Sequence, residues 1–122
     1  MIVKTPVLPT RIRKIPRSFS WIDHRLVRDH YIDSLSHSQS ALYLFLVCVA
    51  DERGLSYYGD PALKSKLNMD QITLNQARNN LVHNNLIAWK KPIYQLLSLE
   101  SVVNDTRGGS MVSLKEVLGG MQ

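Results

Sequence analysis

The 122-residue sequence lacks several features that mark common classes of protein. It has a single cysteine, Cys48, inside an apolar run, so a disulfide framework is excluded and a reducing compartment is expected. The longest apolar stretch, 41–50, has half the ~20 residues that a membrane-spanning helix needs. No apolar signal-peptide core follows the basic N-terminal residues. These absences predict a soluble cytoplasmic protein, which would be nucleoid-associated if it binds DNA.

Catalytic and cofactor-binding arrangements are also missing from the sequence. The four histidines are scattered, with no cysteine or acid at metal-ligand spacing. Glycines occur in pairs only at 108–109 and 119–120, which is not a phosphate-binding loop. No nucleophile is accompanied by a base and an orienting group. The sequence therefore predicts a protein that is not an enzyme and that carries no metal or other cofactor.

The basic charge of the chain is concentrated at its N-terminus. Residues 1–17 hold five Lys or Arg and no acid, whereas the rest of the chain balances ten basic against ten acidic residues. Three prolines in the same stretch disfavour helix and predict an extended arm over residues 1–18. Such an arm can follow a phosphate backbone or a minor groove, although a solubilising tail has the same composition. No amphipathic helix directs it to a membrane. Its candidate DNA contacts are Arg11, Arg13, Lys14 and Arg17.

Two helices are predicted before residue 52. Apolar spacings of four and five indicate an amphipathic helix over about 23–35. Ser36 and Gln39 then form a capping box that opens a second helix, which runs to about Asp51. Because this helix is apolar on all sides, it is expected in the middle of the domain, with Cys48 filling the core.

Two further helices are separated by a three-residue turn. Asp60 as N-cap and Pro61 at the first helical position predict a short helix that ends at Leu67. Asn68 can take the left-handed conformation of a C-cap. Asp70 is then expected to cap a longer helix.

Short β-type segments flank this helix pair. Residues 55–58 precede it, and segments 86–90 and 93–99 follow it with only Lys91 and Pro92 between them. So short a connection predicts a tight hairpin. The expected fold class is therefore mainly α with a small β-hairpin.

This order of elements resembles the winged helix-turn-helix domains of bacterial transcription and replication proteins. The resemblance covers roughly residues 36–99 and is sharpest in LNMDQITL, 67–74, which contains a Leu, an Asn turn, an acidic cap and Thr-Leu. The segment HNNLI, 83–87, is similar to the family's helix-ending Gly-Leu-Ile, with Asn85 in place of glycine. Asn is the next most tolerant residue at positive φ. The resemblance implies a three-helix core plus a wing over residues 19–99, with an extra N-terminal helix.

The longer helix, 71–84, presents two different faces. At about 100° per residue, Leu74, Ala77 and Leu81 point into the core. The opposite face is rich in amides, which can pair with adenine in the major groove. Five asparagines within eleven positions lower helix propensity, whereas a merely solvated face would favour Glu, Lys and Arg. The candidate DNA contacts on this helix are Gln71, Ile72, Asn75, Gln76, Asn79 and His83.

The predicted hairpin supplies further candidates. Lys90 and Lys91 at its tip could reach a phosphate, in the manner of a wing that contacts the DNA backbone. Trp89 and Tyr94 are expected to be cross-strand packing partners rather than base-stacking residues.

The last part of the chain, 100–122, is predicted to be a polar linker followed by a short amphipathic segment at 111–118. That segment could dock on a protein partner or on a second copy of the chain. Two functions therefore stay open. In the first, helix 71–84 and the basic arm bind duplex DNA selectively, as in a regulator or a replication or transposition accessory. In the second, the winged helix and the C-terminal segment form a protein-interaction adaptor that reads no DNA.

Overall fold

A computed structural model describes residues 2–99, so the predicted segment at 111–118 lies outside the described residues. These residues form four α-helices and three strands in the order α1 (Arg25–Arg28), α2 (His37–Val49), β1 (Leu55–Tyr57), α3 (Asp60–Leu67), α4 (Gln71–His83), β2 (Ile87–Lys90) and β3 (Ile93–Leu96). Short 3₁₀ helices lie at Pro9–Arg11 and Ile32–Ser34. The fold is mixed, mainly helical with a small antiparallel sheet. No helix within 2–99 is long and apolar enough to cross a membrane.

The prediction of an amphipathic helix over 23–35 is wrong. Only α1 forms there, and His30 interrupts the chain with φ 68° before the 3₁₀ helix begins. Leu26 is the one buried residue of this segment, while Val27 and Ile32 are exposed. With so little apolar surface buried, packing cannot offset the cost of nucleating a longer helix.

Helix α2 begins with the predicted capping box. The Ser36 hydroxyl accepts a hydrogen bond from the Gln39 backbone N–H at 3.2 Å, and Gln39 Oε1 accepts one from the Ser36 N–H at 3.3 Å. The helix ends at Val49 rather than Asp51. The Asp51 carboxylate instead accepts backbone N–H bonds, each 2.9 Å long, in the turn that leads to β1.

The prediction that α2 is surrounded by core and that Cys48 fills it is wrong. Leu42, Leu46 and Val47 are buried, but Cys48 and Leu44 are exposed. Residues two positions from Leu46 point to nearly the opposite side of a helix. Among the described helices and strands, α4 and β3 pack against α2 on the side of Leu42 and Leu46, and near Cys48 the segment 19–23 contributes a hydrogen bond from the Ser20 hydroxyl to the Cys48 carbonyl at 3.5 Å.

The caps around the helix pair are confirmed with one exception. Asn68 has φ 56° in the left-handed region, and Asp70 Oδ1 accepts a hydrogen bond from the Thr73 backbone N–H at 2.7 Å. Asp60, however, is not the N-cap of α3. Gly59 occupies that position without a side-chain cap, and Asp60 is the first helical residue. Its carboxylate is directed elsewhere, into the network described below.

The predicted hairpin is confirmed and gains a third strand. Strand β3 pairs with β2 and, on its other edge, with β1, so the order is β1-β3-β2. Trp89 faces Tyr94 across β2 and β3, with their rings stacked 6.0 Å apart as expected. Asn85 has φ 62° where α4 turns into β2, and Gly54 has φ 80° in the turn before β1. The second β-type segment was predicted over 93–99, but strand β3 ends at Leu96.

One core joins α2, α3, α4 and the sheet. Its fully buried side chains are contributed by all these elements and comprise Leu42, Leu46, Leu63, Leu74, Leu81, Leu86, Ile87 and Tyr94. Because α4 packs on this core along one face only, its opposite face is not covered by residues 2–99.

Candidate nucleic-acid interface

Helix α4 is anchored by the face that the periodicity predicted. Leu74, Ala77 and Leu81 are each at most 1% exposed. The side chains on the opposite face are exposed, and they include four of the predicted contacts, Ile72, Gln76, Asn79 and His83. We call these four residues the outer stripe. At about 100° per residue they fall within roughly 60° of one another on the helix surface.

A buried arginine network holds one flank of α4. Arg78 is only 4% exposed. Its Nη1 donates to Asp60 Oδ1 at 2.8 Å and to the Tyr94 hydroxyl at 2.9 Å, so one guanidinium ties α4 to α3 and β3. The guanidinium carbon lies 3.9 Å from the centre of the Trp89 ring, a cation–π contact with β2. Four elements are thereby held in one arrangement.

The same network includes two residues that the sequence assigned to DNA. Arg78 Nη2 donates to Asn75 Oδ1 at 2.9 Å. Gln71 Nε2 donates to Asn75 Oδ1 at 2.9 Å and to Asp60 Oδ2 at 2.8 Å. Asn75 is exposed on the face that the sequence assigned to DNA, yet its side-chain oxygen accepts a hydrogen bond from a buried guanidinium. We call Asp60, Gln71, Asn75, Arg78 and Tyr94 the arginine network.

Sequence reasoning missed Asp60 and Arg78 as parts of the site. Arg78 is the only Lys, Arg, Asp or Glu in α4, and it directly follows the core residue Ala77. A lone charge at the edge of a core face needs a buried partner. That signal was present in the sequence, but it did not identify Asp60, eighteen positions earlier, as the partner.

The electrostatics of the network favour a charged carboxylate. The hydrogen bond from Arg78 lowers the pKa of Asp60 below its ordinary value of 3.8, against the opposing effect of burial, and the bond from Gln71 lowers it further. The charge of Lys91, at the tip of the hairpin, also lowers the pKa of Asp60. Burial raises the pKa of Tyr94, and the bond from Arg78 partly opposes that rise.

We expect the stabilisation from Asp60 to disappear in acid. A carboxyl group whose pKa is lower in the folded state stabilises the fold above its ordinary pKa, and this contribution is lost as the pH falls through the folded pKa. Asp60→Asn should lower the free energy of unfolding by about 1–2 kcal/mol at neutral pH, because it removes the charge that pairs with Arg78. The loss stays modest because the carboxylate is partly exposed. Urea unfolding at a series of pH values should show the difference from wild type shrinking below pH 3.8. A difference that is constant with pH would contradict this role for the charge.

The predicted cations fall into two separate groups. Lys90 and Lys91 are exposed at the end of the hairpin, directly after Trp89, whose ring contacts Arg78. The arm cations are exposed along residues 2–18, and none of the hydrogen bonds or ion pairs between described residues joins that arm to α4 or the hairpin. The structure thus brings the helix and hairpin residues together and leaves Arg11, Arg13, Lys14 and Arg17 on a separate segment.

A second surface was not anticipated from the sequence. A groove of about 640 Å³ lies between the segment 19–23, the C-terminal part of α2 and the segment 96–99. Phe19 is 65% exposed and Trp21 77% exposed at its edge. The arm beside it also exposes apolar side chains, namely Ile2, Val3, Val7, Leu8, Ile12 and Ile15. Apolar residues interspersed among the cations of residues 2–17 were the signal available in the sequence.

Comparisons of the chain with protein-family models, with curated proteins and with solved structures found no match. Within residues 2–99, no group of three or more His, Cys, Asp or Glu side chains could hold a metal ion. The function is therefore inferred from the geometry and chemistry of the surfaces themselves.

Proposed function

We propose that the chain is a winged helix-turn-helix protein that binds duplex DNA selectively, with α4 as the recognition helix and the β2–β3 hairpin as the wing. The role is one of binding rather than catalysis. It suits a transcription regulator or a replication or transposition accessory, in which the chain marks a site on DNA for other proteins.

The observation that carries the proposal is the outer stripe of α4. Gln76 and Asn79 are exposed and have no hydrogen-bond partner among the described residues. Their amides offer a donor and an acceptor each, the pattern that pairs with the major-groove edge of adenine. A helix can enter the major groove with such a stripe foremost, since the groove is wide enough to admit it.

Rigidity of the helix supports the same conclusion. Discrimination between bases needs a recognition helix that is held in place before DNA arrives, because ordering the helix on binding would cost free energy. The arginine network provides that support, since Arg78 fixes α4 against α3 and the hairpin through charge-assisted hydrogen bonds. Lys90 and Lys91 are then positioned to contact phosphates beside the groove, which orients the helix without reading sequence.

We expect the two free amides to carry discrimination between DNA sequences. Gln76→Ala and Asn79→Ala should each reduce the preference for a selected site over random DNA by ~1–3 kcal/mol for a bidentate contact. Folding should be intact, because alanine is a better helix former and neither side chain has a hydrogen-bond partner within residues 2–99. The site would first be obtained by selecting bound duplexes from a random library, and competition binding with labelled DNA would then measure the preference.

Asn84→Ala is the matched control, since Asn84 is an exposed amide just after α4 and outside the outer stripe. It should leave the preference unchanged. Affinity for random duplexes should change little in all three variants, because that affinity depends on phosphates. If both stripe variants keep the full preference, α4 is not the recognition helix.

A protein-interaction adaptor is the second candidate, and the apolar groove beside Phe19 and Trp21 favours it. Exposed aromatic side chains around a groove are typical of surfaces that bind proteins. This function predicts that duplex DNA binding is absent, or that it does not depend on Gln76 and Asn79. The competition measurement above therefore separates the two candidates.

A further inference from the structure

Only part of the exposed face of α4 is available to DNA bases. Gln71 donates a hydrogen bond to Asn75, and each has a further bond within the arginine network. Gln71 also donates to Asp60, and Asn75 also accepts from Arg78. A bidentate contact to a base needs both the oxygen and the nitrogen of an amide, so with either side chain it would break a bond to the buried guanidinium or to its carboxylate. The outer stripe has no such constraint, because its side chains have no hydrogen-bond partner among the described residues.

The outer stripe combines one apolar side chain with two amides and ends at His83. Ile72 is 68% exposed, and the other exposed large apolar residue of α4, Val82, lies outside the stripe. Ile72, Gln76 and Asn79 extend along about 10 Å of helix, which is close to three base-pair steps of 3.4 Å. The stripe can therefore meet adjacent base pairs in one groove.

The chemistry of these three side chains matches one class of base pair. In the major groove, thymine is distinguished by its 5-methyl group, which attracts an apolar side chain. Adenine presents N7 as acceptor and N6 as donor, the complement of an Asn or Gln amide. Guanine is most often read by Arg or Lys, and the outer stripe contains neither. One turn further along α4, the neighbours of Ile72 are the amides Asn75 and Gln76, so Ile72 does not continue into an apolar patch on this helix.

We infer that α4 recognises a short A·T-containing element of the major groove, in which Ile72 contacts the 5-methyl group of a thymine while Gln76 and Asn79 pair with adenine edges. This inference rests on the DNA-binding function proposed above and adds the identity of the bases. Gln71 and Asn75 remain in the arginine network and keep the helix edge fixed while the stripe reads the groove.

The test combines duplexes that lack one methyl group or one ring nitrogen with protein variants that lack one side chain. A duplex selected by the full chain from a random library is remade with deoxyuridine at one thymine at a time, and with 7-deazaadenine at one adenine at a time. Fluorescence anisotropy then gives the affinity of each duplex. At one thymine, loss of the methyl group should weaken binding about fourfold, as expected for one buried methyl. At one or more adenines, loss of N7 should weaken it about tenfold, as expected for one hydrogen bond.

Variants of the full chain connect these losses to named residues. The Ile72→Ala variant should bind the thymine duplex more weakly than the wild type does. It should also bind the thymine and deoxyuridine duplexes with equal affinity. Gln76→Ala or Asn79→Ala should likewise become insensitive to 7-deazaadenine. Val82→Ala is the matched control for an apolar truncation on the same helix, and it should retain the sensitivity of the wild type to both changes.

The outcomes distinguish failure of this inference from failure of the proposed DNA-binding function. If the chain selects a site but no thymine methyl or adenine N7 matters, the inference is overturned and selective DNA binding stands. It is also overturned if Ile72→Ala keeps the full sensitivity to deoxyuridine. If the chain selects no sequence or binds no duplex, both the inference and the proposed function fall.

Discussion

Replacing Arg78 with alanine should lower the free energy of unfolding by about 2–4 kcal/mol, a large share of the roughly 5–15 kcal/mol that stabilises a typical domain. The substitution removes hydrogen bonds to Asp60, Tyr94 and Asn75 together. It also leaves the Asp60 carboxylate and the buried Tyr94 hydroxyl without their guanidinium partner, and an unpaired polar group in the interior is costly. Urea unfolding followed by circular dichroism would measure the loss.

Two further arginine variants make this expectation specific. Arg28→Ala removes a surface ion pair, 3.8 Å long, in which the arginine side chain is 68% exposed, and it should change stability by less than about 0.5 kcal/mol. Arg78→Lys keeps the charge but not the planar set of donors, so it should recover only part of the loss. Equal stabilities of Arg28→Ala and Arg78→Ala would show that the network is not what holds α4 in place.

Deleting residues 1–17 should have the largest effect on DNA binding. The five cations of that segment can each displace a condensed counterion, so the slope of log affinity against log salt should become shallower by up to about 4 to 5. At moderate salt the affinity for any duplex should fall on the order of 10²–10⁴-fold. Anisotropy titrations of one duplex across a salt series would give both quantities.

A second variant separates charge from the rest of the arm. Replacing Arg11, Arg13, Lys14 and Arg17 with glutamine preserves the arm's length and its exposed apolar residues. It should lose nearly as much affinity as the deletion if phosphates are the target. Unchanged salt slopes in both variants would show that the arm does not contact DNA, and its apolar residues would then favour the adaptor function.

The two expectations concern different parts of the proposed interface. The arginine network sets the position of α4, and its loss should reduce stability and discrimination together. The arm supplies affinity that does not depend on sequence, and its loss should leave the preference for a selected site intact. If deletion of the arm also reduced stability or the preference for the selected site, the arm would have to pack against the domain.

Features that depend on near neighbours were determined by the sequence alone. The capping box at Ser36 and Gln39, the cap at Asp70 and the left-handed residues Asn68 and Asn85 all involve groups within four positions of one another. The core face of α4 and the hairpin followed from periodicity and turn length in the same way. These features are local because a hydrogen bond at a helix end, or a positive φ, is decided by the residues that make it.

Tertiary structure decided the features that depend on distant partners. The helix expected over 23–35 is short because little apolar surface is buried there, and Cys48 is exposed because α4 and β3 pack against the opposite side of α2. Asp60 leaves its expected capping role because Arg78, a full helix further along the chain, comes within 2.8 Å of its carboxylate. Periodicity indicates which side of a helix faces inward, but only the packing of three elements determines which polar groups meet there. The outer stripe of α4 was therefore visible in the sequence, and the network that holds it was not.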